Sequence, residues 1–163
     1  MTVSNRHPQY DLYFPVWTKT RDAVKGSVAI KEKRVVYLPV PDGDAAGGTT
    51  APQTLRYAQY LKRAVFTNYT GRTKNALVGA AFRKEMEYEL PTELEYVKQD
   101  ATGDGLGLEQ LAKDQLSALL EVGRSFLLVD YPQANDNMTE EEVRRLELRP
   151  SIIPYMAEQV INW

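Results

Sequence analysis

The sequence predicts an α+β protein that is mainly helical, with a small β element. Two stretches, residues 54–66 and 107–122, carry apolar residues at helical spacing. Further along, an uninterrupted apolar run over residues 126–129 is bounded by Asp130 and Pro132, and such a run indicates a buried strand. A chain of 163 residues is long enough for one domain with a core of its own.

The N-terminal part of the chain is predicted to form two helices separated by a loop. The first helix spans residues 11–25, and Pro15 is expected to start its regular part, because proline fits the first position of a helix. Residues 39–52 contain three Pro and three Gly, which is typical of a mobile loop. Thr54 is a suitable N-cap for the second helix, which is expected to run to about Phe66.

The middle of the chain is predicted to form a turn and two further helices. Residues 68–71 have the composition of a turn, and residues 76–81 continue at helical spacing. The helix at residues 107–122 has the clearest apolar stripe, and Gly123 stands where a left-handed residue ends a helix. The stripe consists of Leu108, Leu111, Ala112, Leu116, Leu119 and Leu120.

The C-terminal part is predicted to add a short helix and a second extended segment. Thr139 and Glu142 match a capping box, which opens a helix to about Leu146. Residues 151–155 have an extended pattern, and Pro154 restricts them to a sheet edge or a bulge because it has no N–H to donate.

The composition argues against several classes of function. The chain has no Cys, which excludes a disulfide framework, a thiolate metal site and a Cys nucleophile. His7 is the single His, so multi-His metal sites and His-based triads are not expected. The formal charge of −2 is too balanced for a protein whose whole surface binds a polyanion. No apolar run reaches the length of a membrane span. We therefore predict no catalytic residue, no cofactor, no metal and no membrane partner.

Three motifs approach a known kind of site and fall short of it. Residues 43–50 nearly match a phosphate-binding loop, but Thr49 occupies the position of the essential Lys. Residues 100–105 resemble the start of a calcium loop, whose twelfth position should be Glu and is Leu111. Four glutamates of residues 87–95 would supply paired carboxylates for hydrolysis, although a solvated acidic face is the simpler interpretation.

Charge is segregated along the chain into two opposite blocks. Residues 45–84 hold seven basic residues and no acid, whereas residues 85–109 hold eight acids against one Lys. Two interpretations stay open for this basic block: pairing with acids, within one chain or between subunits, and binding of single-stranded nucleic acid through interleaved aromatics. The candidate subunit-interface or nucleic-acid contacts are Arg56, Lys62, Arg63, Arg72 and Lys74.

Several segments, in order along nearly the whole chain, resemble uncharacterised phage portal-like proteins. The longest is residues 64–73, and it is followed by residues 77–79, 82–84, 104–105, 108–110, 122–124 and 127–132. The remaining matches are Trp17, Arg21, Asp22, Tyr37, Leu38, Pro39, Arg149, Pro150, Pro154, Tyr155 and residues 160–163. None of these motifs is catalytic, so the resemblance rests on pattern and order.

The resemblance implies a structural subunit of a portal, the head–tail connector ring through which double-stranded DNA is packaged and ejected. Such rings typically have about twelve copies of one chain. Implied partners are the terminase motor, the capsid and the tail proteins, with DNA passing without sequence-specific binding. Residues 1–163 would form a single N-terminal, wing-like portion without the stem and clip, located in the virion and, during assembly, in the host cytoplasm. The alternative is a nucleic-acid-binding module that uses the basic residues of 56–84, and a carboxylate hydrolase ranks third.

Overall fold

The structure, a computed structural model, describes residues 4–41, 51–132, 138–145 and 148–163. Within these ranges the chain is mainly helical with one small antiparallel sheet, so the predicted α+β class is confirmed. Two short 3-10 helices span Arg34–Val36 and Thr92–Lys98. The helices are α1 (Pro8–Lys25), α2 (Ser27–Glu32), α3 (Ala51–Arg63), α4 (Tyr69–Ala81), α5 (Leu108–Val122) and α6 (Glu140–Arg145), and the strands are β1 (Ser125–Asp130) and β2 (Ser151–Met156).

Helix α1 begins earlier than the sequence pattern indicated. Pro8 occupies its first turn, where a missing N–H costs nothing, and Pro15 lies inside the helix. The prediction that Pro15 starts the regular part is therefore wrong, because Pro8 already fills that role. The single histidine is the N-cap: the Nδ1 atom of His7 accepts a hydrogen bond from the Gln9 N–H at 3.3 Å. Gly26, at φ 84°, then separates α1 from α2, a short helix that the pattern did not predict.

The predicted loop over residues 39–52 is too long at its C-terminal end. Helix α3 starts at Ala51, with Pro52 in its first turn, so Thr54 is not the N-cap, and the helix ends at Arg63. Residues 42–50 lie outside the described residues. The structure therefore does not test the predicted mobility of that loop, and the whole phosphate-loop-like segment, residues 43–50, also lies outside the described part.

The predicted turn at residues 68–71 is the capped start of helix α4. The side-chain oxygen of Asn68 accepts a hydrogen bond from the Gly71 N–H at 2.7 Å, which satisfies a donor of the first turn. The same amide donates through Nδ2 to the Val24 carbonyl of α1 at 2.7 Å. The helix predicted through residues 76–81 is confirmed, and one Asn joins its start to α1.

Helix α5 and its C-terminal glycine match the prediction. Gly123 adopts φ 74° and ψ 5°, and its N–H donates to the Leu119 carbonyl at 2.7 Å. The apolar stripe is only partly buried, however. Leu111 is buried, whereas Leu119 and Leu120 at the other end are exposed.

The apolar run at residues 126–129 forms β1, but the prediction that this strand is buried is wrong. β1 pairs antiparallel with β2 from Ser125↔Met156 to Asp130↔Ser151, and it is exposed from Leu127 onward. Among the described residues the sheet has two strands, so each strand has one edge without a neighbouring strand. Pro154 accordingly lies in an edge strand, as predicted.

The capping box that opens α6 is confirmed by reciprocal hydrogen bonds. The Thr139 N–H donates to Oε2 of Glu142 at 2.9 Å, and the Glu142 N–H donates to Oγ1 of Thr139 at 3.3 Å. Leu146, where this helix was expected to end, lies outside the described residues.

The core is small and joins the two ends of the described chain. Tyr10 and Trp17 of α1 pack with Ala157, and Val122 and Ile161 lie against them. The other buried apolar residues of the described chain are Ala29, Ile30, Ala101 and Leu111.

Candidate assembly surface

The five basic candidates lie on two helices. Arg56, Lys62 and Arg63 belong to α3 and are exposed. Arg72 and Lys74 belong to α4, where Arg72 is exposed and Lys74 is not. The structure therefore divides the candidates between a solvent-facing group of four and one residue that is held within the fold.

Lys74 packs α4 against α5. Its Nζ atom lies 2.8 Å from Oε1 of Glu121, and both side chains are only 15% exposed. Glu121 lies outside the acidic block of residues 85–109, so this basic residue pairs with a carboxylate that the charge segregation did not indicate. Because the pair is withdrawn from solvent, Lys74 contributes to the packing of two helices.

Glu121 is shared with a second cation, Arg21 of α1. Nη1 of Arg21 donates to Oε2 of Glu121 at 2.6 Å, and Nη2 donates to Oε2 of Glu158 at 2.9 Å. Nε of Arg21 also bonds Glu158, which gives a two-point contact. These four charged residues connect α1, α4, α5 and the segment after β2, and we call them the charged network.

Within the charged network, the contact between Arg21 and Glu158 favours the ionised form of both side chains. Burial alone raises the pKa of Glu158, but the hydrogen bonds and the charge of Arg21 outweigh it and leave that pKa below its ordinary value. The same hydrogen bonds raise the pKa of Arg21. A carboxylate held this way is a poor proton acceptor, so this network serves to position helices. Arg21 is 100 positions from Glu121 and 137 positions from Glu158, so no local spacing in the sequence could have revealed these contacts.

A second buried charge, Asp22, connects α1 to the chain that follows α2. Its carboxylate accepts hydrogen bonds from Lys33 and from the Tyr37 hydroxyl. Burial raises the pKa of Asp22, but these bonds outweigh it and hold the pKa below its usual value. The hydrogen bond to Asp22, with burial, raises the pKa of Tyr37 to about 12.

The calcium-like segment is a turn held by its own aspartate. Oδ1 of Asp100 accepts hydrogen bonds from the N–H groups of Gly103 and Gly105, at 2.7 and 2.9 Å. The carboxylate is thereby occupied by backbone donors, which favours the interpretation of this segment as a turn that precedes α5.

A shallow basic cleft lies between α2 and the end of α3. It has a volume of about 570 Å³ and is lined by Lys31, Glu32, Arg34, Leu61 and Lys62. Nζ of Lys31 donates to the Lys62 carbonyl at 3.2 Å, which fixes the two walls of the cleft. Three cations and one carboxylate make this cleft net positive.

The most distinctive property of the described surface is its apolar content. Twenty large hydrophobic residues of the described chain are exposed, against seven hydrophobic residues that are buried. Some of the exposed residues are neighbours: Leu12 and Val16 lie one turn apart on α1, and Leu127 to Val129 are consecutive in β1. Contiguous apolar surface of this kind marks interaction sites.

No known family model matches this chain, and no curated protein matches it. Among the helices that the structure describes, none is both long and apolar enough to cross a bilayer. In the same described ranges, no group of three acidic or His side chains is placed to hold a metal ion.

Proposed function

We propose that this chain is a structural subunit that acts by assembling with further copies of itself. The observation that carries the proposal is the imbalance between a core of seven buried hydrophobic residues and twenty large exposed ones among the described residues. Burying apolar surface stabilises a protein by about 25 cal/mol per Å². Association with a partner that covers these exposed residues is therefore favourable.

The charged groups of the fold support a structural role. Glu158 and Asp22, whose pKa values are lowered, are each held by basic or hydroxyl partners of the same chain. Such groups hold helices at fixed angles, which a subunit needs if its outer surface is to match a neighbour.

Within this class we propose a phage portal, the head–tail connector ring through which double-stranded DNA is packaged and ejected. This narrower proposal rests on the resemblance along residues 64–73, 77–79, 82–84, 104–105, 108–110, 122–124 and 127–132. The ring would dock the terminase motor, the capsid and the tail. A conduit of this kind should not bind its cargo tightly, because each phosphate contact must be broken as the DNA advances.

Electron microscopy tests the narrower proposal. The protein expressed from its complete coding sequence, imaged in negative stain, is expected to show rings with a central hole. Particles without a hole, or a species that stays monomeric at the highest concentration that can be reached, would overturn the portal assignment.

The basic cleft favours a second function, binding of single-stranded nucleic acid. Lys31, Arg34 and Lys62 line this cleft and would neutralise successive phosphates. The expected result is an affinity for an oligonucleotide that falls steeply with salt and is reduced by Lys62→Glu. The matched control is Lys19→Glu, an exposed cation of α1 away from the cleft. Equal binding by both variants would exclude this function.

A further inference from the structure

The two edges of the small sheet differ in a way that points to a partner strand. In an antiparallel ladder, residues alternate between those whose N–H and C=O face the neighbouring strand and those whose groups face away. The Ile152 N–H of β2 faces away, because it donates to the Ala101 carbonyl at 2.8 Å. Pro154, two residues on, therefore also faces away, and it has no N–H to offer. The outer edge of β2 is thus closed to a further strand.

The outer edge of β1 is open. Val129 and Leu127 lie opposite Ile152 and Pro154, so their N–H and C=O groups point away from β2. In the part of the chain that the structure describes, nothing bonds to these groups. Exposed edges of soluble proteins are usually protected by Lys, Pro or a bulge. β1 has none of these, and Leu127 and Val129 are 53% and 70% exposed.

The charges at the two ends of β1 identify the partner. The guanidinium of Arg124 lies 4.0 Å over the ring of Trp163 and has no carboxylate partner among the described residues, and its Nη1 is buried without a hydrogen bond. Asp130, at the other end, accepts only from the N–H of Tyr131, and no cation of the described chain pairs with it. One unpaired cation and one unpaired anion therefore flank the open edge.

We propose that β1 pairs antiparallel with β1 of a second copy, centred on Leu127, to form a four-stranded sheet. This register matches the outward-facing residues: Leu127 meets its own copy, and Ser125 meets Val129. It also places Arg124 of each copy directly opposite Asp130 of the other, within the reach of a cross-strand ion pair. Shifting the register by two residues in either direction removes the directly opposite placement of both charge pairs.

This contact is independent of the portal assignment. It is isologous, since the same edge is used by both copies, and it therefore closes as a two-fold pair. A ring needs a head-to-tail contact and would use other surfaces. In the pair, Leu127 packs beside its own copy and Leu128 beside Phe126 of the other copy, which removes part of the apolar surface that one copy exposes.

Disulfide trapping tests the register directly, because the chain contains no Cys. In the proposed pair, the two copies of residue 127 have Cα atoms about 5.5 Å apart, within the range of a disulfide. The two copies of residue 129 are offset by four residues, or about 14 Å, which is out of range. Under a mild oxidant, Leu127→Cys should form a covalent dimer, whereas Val129→Cys, the matched control on the same edge, should not.

Three results would overturn the proposal. Equal cross-linking of both variants would show that the copies meet without this register. Absence of cross-linking in both, with monomers at every concentration, would show that copies do not use the edge. Protection of Leu127→Cys from a thiol reagent in monomeric protein would assign the edge to another segment of the same chain.

A second measurement separates the contact from folding. Leu127→Lys places a charge at an exposed position, so the thermal melt should stay unchanged when parent and variant are compared at a dilution where both are monomeric. The dimer should dissociate at least about tenfold more readily. Leu12→Lys, at a comparably exposed position on α1, should leave dimerisation unchanged. If both substitutions weaken the dimer equally, or neither does, the β1 contact is refuted.

Discussion

Gly71 allows α4 to approach α1, and replacing it with Ala tests that packing. A Cβ at this position would lie 2.7 Å from Nδ2 of Asn68 and 2.8 Å from the Val24 carbonyl oxygen. Both distances are shorter than the contacts that Cβ atoms make in proteins. The Val24 oxygen belongs to the backbone and cannot rotate away as a flexible side chain could. Gly71→Ala therefore has to push α4 away from α1 or displace the Asn68 side chain that joins them.

The expected cost follows from three contributions. Overpacking of this kind costs about 1–3 kcal/mol, and the loss of the Asn68 cap costs about 1 kcal/mol. The better helix propensity of Ala relative to Gly offsets about 0.5–1 kcal/mol of this cost. The net effect is a loss of about 1–3 kcal/mol in the free energy of unfolding, or roughly 3–10 °C in Tm.

Gly79 provides a matched control in the same helix. A Cβ there meets nothing within 4 Å, so Gly79→Ala should stabilise the protein by about 0.5–1 kcal/mol. Urea unfolding followed by tryptophan fluorescence measures both variants, and the two substitutions should change stability in opposite directions. A Gly71→Ala variant at least as stable as the parent would refute the close contact between α1 and α4.

Three further predictions concern the charged groups. Lys74→Glu should lower the free energy of unfolding by about 1–3 kcal/mol, because it places a second carboxylate beside Glu121. Arg72→Glu, at an exposed position of the same helix, should change it by less than about 0.5 kcal/mol. Equal thermal melts of the two variants would contradict this prediction. Stability contributed by Glu158 is present above the ordinary carboxyl pKa of 4.5 and is lost as pH falls through the lowered folded value; unchanged acid denaturation of Glu158→Gln would contradict this. Stability contributed by Tyr37 is present below pH 10.0 and is lost as pH rises towards 12, so Tyr37→Phe should flatten the alkaline limb of the stability curve; an unchanged limb would contradict this.

The sequence predicted the elements whose determinants are local. The stripe of α5 and the left-handed Gly123, like the capping box of Thr139 and Glu142, involve residues within one or two turns of each other. Helix starts were harder to place, since α1 contains Pro15 in its interior and α3 begins before its predicted cap. In both cases proline is accommodated at a position that a propensity argument assigns differently.

Burial and charge pairing were not predictable from the sequence, because both depend on distant residues. The run at residues 126–129 is equally apolar whether its faces are covered or open, so periodicity could not show that β1 is exposed. The segregated charge blocks suggested pairing with each other, yet Lys74 pairs with Glu121, and Glu121 is shared with Arg21. The positions of Arg21 and Glu121 in the sequence give no sign of that contact.

We expect this protein to function through contacts between copies of itself. Sedimentation equilibrium of the protein expressed from its complete coding sequence, followed over a wide range of dilution, measures this most directly. We predict a species of several copies that dissociates only on dilution. A single monomeric mass at every concentration would contradict the claim.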